Sequence, residues 1–169
     1  LVIRRQRQMC IRDSHTPVAE FNILVDPEAA KIVLSSGAKL VMMGLDVTHQ
    51  AISTSERLNT IHETGTTTGE YLVGLMGSLA DLEIVKQKFP DGTPVHDAFV
   101  TAYLVDSSLT TGEVTNVEVE VDSELTLGQT VVDINHISGR NKNVHWMNKV
   151  DDEKSVSYTH LTLPTNDQV

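Results

Sequence analysis

The strongest constraint on the fold is a short run in which a helix start, a helix stop and a strand follow one another. Asp26-Pro27-Glu28 supplies an N-cap residue, a proline at the first helical position and an acid in the first turn. Ala29, Ala30, Ile32, Val33 and Leu34 carry the helix on, and Gly37 ends it. Lys39-Leu-Val-Met-Met43 follows with no polar interruption and reads as a short buried strand. A helix running straight into such a strand predicts an α/β protein with an open, mostly parallel sheet and flanking helices.

The rest of the chain keeps to that class. Ser53 to His62 reads as a short helix and Thr64 to Gly69 as a loop. Leu72, Leu75, Met76, Leu79, Leu82 and Val85 recur near helical spacing and predict one long helix over Tyr71–Phe89. Pro90 to Pro94 is a turn by composition. His96 to Val105 is apolar nearly all round, as a fully buried helix is. Val114, Val117, Val119 and Val121 with acids between them predict a strand with one wet face. Thr130–Asp133 and Asn143–Trp146 are shorter strand candidates.

Charge excludes some functions. The chain of 169 residues has 13 basic and 23 acidic residues, a net −10, which argues against nucleic acid or an anionic membrane as the main partner. No apolar run approaches the roughly 18 residues of a membrane helix. One cysteine, Cys10, excludes an internal disulfide framework.

The basic residues are not evenly spread. Arg4, Arg5, Arg7 and Arg12 crowd the first fourteen positions. Neither a secretory leader, which needs an apolar stretch and a cleavage site, nor a nucleic-acid arm explains them as well as DNA does. A DNA sequence encoding Arg4–Ser14 gives, on its reverse complement in another frame, Val-Ser-Tyr-Thr-His-Leu-Thr-Leu-Pro-Thr, which is Val156–Thr165. That DNA resembles a transposase-type sequencing adapter read through at both ends of a short assembled fragment. Residues 1–14 and 156–169 are therefore expected to be adapter-derived, and 15–155 to be the genuine segment. Without four arginines and two aspartates, nine basic and 21 acidic residues remain, a net −12, with no cysteine.

Three clusters carry chemistry. In Thr16-Pro-Val-Ala-Glu-Phe-Asn22, an extended backbone would point Glu20 and Asn22 to one side, where a carboxylate and an amide can bond adjacent hydroxyls, as on a sugar. A polar loop capping the next helix is the other reading. Asp46-Val-Thr-His-Gln50 follows the strand directly, where open α/β sheets bind ligands, although Asp46 or Thr48 as a helix cap explains it as well. His96 and Asp97 open the apolar helix. A proton donor beside a carboxylate there suits catalysis or metal binding, or simply caps the helix.

Together these blocks resemble the inosine-uridine nucleoside hydrolase family. The likeness runs through Thr16–Asn22, Val25-Asp-Pro-Glu-Ala-Ala30, Gly44-Leu-Asp-Val-Thr-His49, Pro94-Val-His-Asp-Ala98 and Gly128-Gln-Thr-Val-Val-Asp133. It implies the nucleoside hydrolase fold and, since the family is roughly twice this length, a C-terminal part from which the N-terminal half is missing. With that half goes the acidic motif that holds calcium and supplies the general base. Ser14 stands where the family usually has a sugar-binding Asn.

By the same resemblance, His96 matches a leaving-group acid, Asp97 a calcium ligand that also touches ribose, Glu20 and Asn22 ribose contacts, and Phe21 a neighbour of the base. The resemblance implies hydrolysis of uridine, cytidine or inosine in salvage by a cytoplasmic, calcium-dependent homodimer or homotetramer, with this chain alone inactive. A catalytically dead nucleoside- or ribose-binding protein on the same scaffold is the alternative.

Overall fold

The computed structural model describes residues 15–151 and 154. The two end segments, 1–14 and 156–169, lie outside the described residues. The described residues divide into two compact units, one made of 15–47 with Gly112–Asn148, the other of Thr48–Thr111 with 149–151 and 154.

In the first unit, Glu20 caps a single turn, α1 (Phe21–Val25). Asp26 then caps α2 (Pro27–Ser35), its Oδ1 accepting the Ala29 N–H at 2.9 Å with Pro27 in the first turn. Gly37, at φ +75°, takes the left-handed conformation that turns the chain out of the helix. Helix and stop are as predicted.

Strand β1 (Leu40–Met43) pairs in parallel with β7 (Val144–Val150), Leu40 beside Val144 and Met43 beside Met147. On the other side of β7 lies β4 (Thr110–Thr115), giving the order β1-β7-β4. Thr115 accepts the Asn143 N–H at 3.0 Å, and Gly112 backs onto Trp146 and Met147, so β4 runs against β7. Only a glycine fits there: a Cβ at position 112 would run into the Trp146 carbonyl. β1, predicted as buried, is only partly so, with Val41 48% exposed. It is the outer strand of the sheet among the described residues, and nothing there covers that side chain.

The single strand predicted over Val114–Val121 is two strands in two sheets. β4 ends at Thr115, and β5 (Val117–Val119) pairs antiparallel with β6 (Thr130–Val132). The switch is made at buried Asn116, whose carbonyl accepts from Asp133 N–H and whose amide donates to the Asn141 carbonyl. Asn143 replaces a strand partner on the other side. Its Oδ1 accepts the Val117 N–H at 2.8 Å, and its Nδ2 donates to the carbonyls of Val117 and Leu34, each at 2.9 Å. Ala19, Val47, Val117, Val119, Val144, Trp146 and Met147 are the buried apolar residues around which this unit packs.

In the second unit, β2 (Ile52–Ser53) pairs antiparallel with β3 (Thr93–Pro94). α4 (Ser55–Glu63) is capped by Thr54 and α5 (Thr67–Ala80) by Thr66, whose hydroxyls accept from Arg57 and Gly69 N–H. α5 thus starts four residues before Tyr71 and takes in part of the predicted loop. The predicted long helix also breaks: Leu82 is extended (ψ 127°), and α6 (Glu83–Lys88) begins after it. α7 (His96–Val105) has the predicted bounds. It is not fully buried. Phe99 is in the core with Ala51, Ile61, Met76 and Leu109, while Leu104 is 78% exposed, because no described element lies over that face. No helix among the described residues is long and apolar enough to cross a membrane.

Candidate active site

The second unit gathers two histidines, a threonine and an aromatic ring. His96 is the first residue of α7, preceded by Val95, which makes no side-chain cap. The His96 Nδ1 lies 2.8 Å from the Oγ1 of Thr48, the last residue of the one-turn helix α3 (Leu45–Thr48). Thr48 is buried. The His49 ring stands edge-on to the His96 ring at 5.4 Å and to Phe89 at 4.8 Å. His96 is therefore held at Nδ1 and flanked on one side, while its ring stays accessible to solvent. Asp97, exposed in the first turn of α7, complements the positive end of the helix dipole.

Glu20, Phe21 and Asn22 lie in the first unit. The extended conformation that would align Glu20 and Asn22 is not formed. Glu20 is the N-cap of α1, and its carboxylate accepts from the N–H groups of Asn22 at 2.8 Å and Ile23 at 3.3 Å, and from the Asn22 side-chain amide at 3.2 Å. Two unsatisfied helix donors draw the carboxylate onto the backbone, which is why the capping reading prevails here. Phe21 is half-exposed, with the His15 ring 5.5 Å away.

Asp46, to which the sequence assigned no step, is the most perturbed carboxyl of the first unit. It follows β1 and Gly44 directly, and a Cβ on Gly44 would stand 2.5 Å from its Oδ1. Burial pushes its pKa up to about 6, against hydrogen bonds from the Val47 backbone and the Trp146 indole that favour the charged form. Its position after a strand was the only signal. Thr48 was visible in the same block, but its bond to His96 spans 48 residues and has no mark in the sequence.

Among the described residues, no three His, Cys, Asp or Glu side chains gather into a metal site. A calcium ion takes six to eight oxygens, so Asp97 by itself does not make one.

The profile of the family described as inosine-uridine preferring nucleoside hydrolase matches residues 10–157. A probable ribonucleoside hydrolase of Dictyostelium discoideum is 37% identical over 146 residues, which are 82% of this chain and 42% of that protein. The inosine-uridine preferring nucleoside hydrolase of Crithidia fasciculata is 35% identical over 139 residues, 82% of this chain and 44% of that protein. Among solved structures, a purine-preferring ribonucleoside hydrolase from Gardnerella vaginalis superposes with a TM-score of 0.73 at 28% identity, covering 88% of this chain and 46% of that one. The fold is that of the nucleoside hydrolases. The chain belongs to the inosine-uridine preferring nucleoside hydrolase family, and it spans less than half the length of these relatives.

Proposed function

We propose that the protein of which this chain forms part hydrolyses the N-ribosidic bond of ribonucleosides to ribose and free base. The observation that carries the reading is the His96-Asp97 pair opening α7 in a chain of this family, with His96 held by Thr48. In the reaction the bond from C1′ to the base nitrogen breaks and one from C1′ to a water oxygen forms, through an oxocarbenium-like sugar. His96 gives a proton to the departing base. The water's proton goes to a base outside this chain.

The family resemblance gives Glu20, Asn22 and Asp97 as ribose contacts and Phe21 as a neighbour of the base. A carboxylate has about four acceptor sites, and the three bonds that Glu20 accepts leave room for one hydroxyl. Asp97 would supply one ligand of the calcium ion that the resemblance implies, and no further His, Cys, Asp or Glu among the described residues gathers with it into a metal site. Residues 15–155 are read as the C-terminal part of the domain, flanked by adapter-derived ends. The full-length protein is read as a cytoplasmic homo-oligomer acting in nucleoside salvage.

The test takes both lengths. The 169-residue chain with calcium should hydrolyse neither uridine nor inosine above a boiled control. The full-length protein, recovered by sequencing outward from the source locus, should hydrolyse uridine, cytidine or inosine, and His96→Ala should lower kcat by about 10²–10⁴. Nucleoside binding by the full-length protein without turnover would replace this reading with that of a binding protein.

A further inference from the structure

We propose that Thr48 is a positioning residue for His96; the proposal rests on His96 being the leaving-group acid. A proton donor is useful only if the right nitrogen faces the substrate, because an imidazole carries two and can flip between them. Here Nδ1 faces inward, 2.8 Å from the Thr48 hydroxyl, and Thr48 is buried, so this hydroxyl is not exchanging its partner for bulk water. By holding Nδ1, the Thr48 hydroxyl fixes which way round the His96 ring sits.

The chemistry of the partner matters. A hydroxyl both donates and accepts, so it can receive a hydrogen bond from Nδ1–H or give one to a bare Nδ1. A backbone carbonyl would hold only the first form and a backbone N–H only the second. The His49 ring, edge-on to His96 and itself against Phe89, blocks one side and restricts rotation of the held ring. This assigns a task to a block, Asp46-Val-Thr-His-Gln50, that the rest of the site leaves without one. A hydroxyl lost at this position should therefore be felt in the chemical step rather than in substrate binding.

Two measurements separate this from the reading beneath it. In the 169-residue chain with ¹⁵N-labelled histidine, Thr48→Val should move the Nδ1 resonance of His96, while Thr48→Ser leaves it near its original position. An unchanged resonance in the valine variant overturns the proposal. If that variant does not fold, the unsubstituted chain decides: a nuclear Overhauser contact between Thr48 and the His96 ring supports the proposal, and its absence overturns it. In the full-length protein, Thr48→Val should lower kcat roughly 10- to 100-fold with KM changed less than about threefold, and Thr48→Ser should restore most of it. Unaltered kcat, or an equal loss in both variants, overturns the proposal. A full-length protein that turns over no nucleoside defeats the functional reading alone, and the spectra still decide the role of Thr48.

Discussion

Replacing Asp46 by Asn should stabilise the chain, and by more at neutral pH than in mild acid. The carboxyl has a folded pKa of about 6 against an ordinary 3.8, chiefly because burial disfavours its charge. Below the lower value it is protonated in both states and costs nothing. As pH rises, the unfolded chain ionises first, and the folded state loses stability against it until pH passes the upper value. The gap corresponds to about 3 kcal/mol at pH 7.5 and about 1 kcal/mol at pH 4.5.

Asparagine keeps an oxygen to accept from the Trp146 indole and the Val47 N–H and never ionises. The stabilisation by Asp46→Asn should therefore grow by about 2 kcal/mol between those two pH values, or about 1 M in the urea midpoint. Trp146 is the only tryptophan and is buried beside the substitution, so its fluorescence reports the unfolding of this unit. All other titrating groups are common to both proteins and drop out of the difference. A gain independent of pH, or one that shrinks toward neutrality, would refute the argument from burial.

Other outcomes follow from packing and ligand count. Asn143→Ala removes three hydrogen bonds and leaves the Val117 N–H without its acceptor; urea unfolding should show a loss of about 3 kcal/mol. On α7, Phe99→Ala should cost about 3–5 kcal/mol, whereas Leu104→Ser on the exposed face should change stability by less than about 0.5 kcal/mol. Millimolar calcium should leave the Tm of the 169-residue chain unchanged, since Asp97 alone does not fill a shell; a rise of several degrees would mean a site completed within this chain.

Where the deciding interactions are local, the sequence was legible. Asp26, Pro27 and Gly37 act within a few residues of themselves, and α2 begins and ends where they place it. The break at Leu82 was not legible. Neither glycine nor proline marks it, and the apolar spacing of Leu79, Leu82 and Val85 runs through it unbroken. The division at Asn116 was hidden for a different reason. A strand pattern records which face is buried, not which strand is the partner, and the partner changes there through Asn141 and Asn143, 25 and more residues away.

The site divides in the same way. The neighbouring His96 and Asp97 could be read as a pair, and so could the motif around Glu20. Capping by the motif around Glu20 stood among the sequence readings, but for α2 rather than for the single turn α1 that Glu20 caps; the threonine that holds His96 did not.

The first unit is discontinuous, and this bears on how the chain matures on a ribosome. β1 needs Val144–Met147 beside it, about a hundred residues later, and the Leu34 carbonyl waits for Asn143 across 109 residues. The second unit draws most of its residues from the unbroken stretch Thr48–Thr111. During synthesis that stretch can fold while β1 still lacks β7 and offers its backbone edge to any other strand within reach. Completion of this sheet then waits for the arrival of β7, and the interval before it is when β1 most needs protection from aggregation.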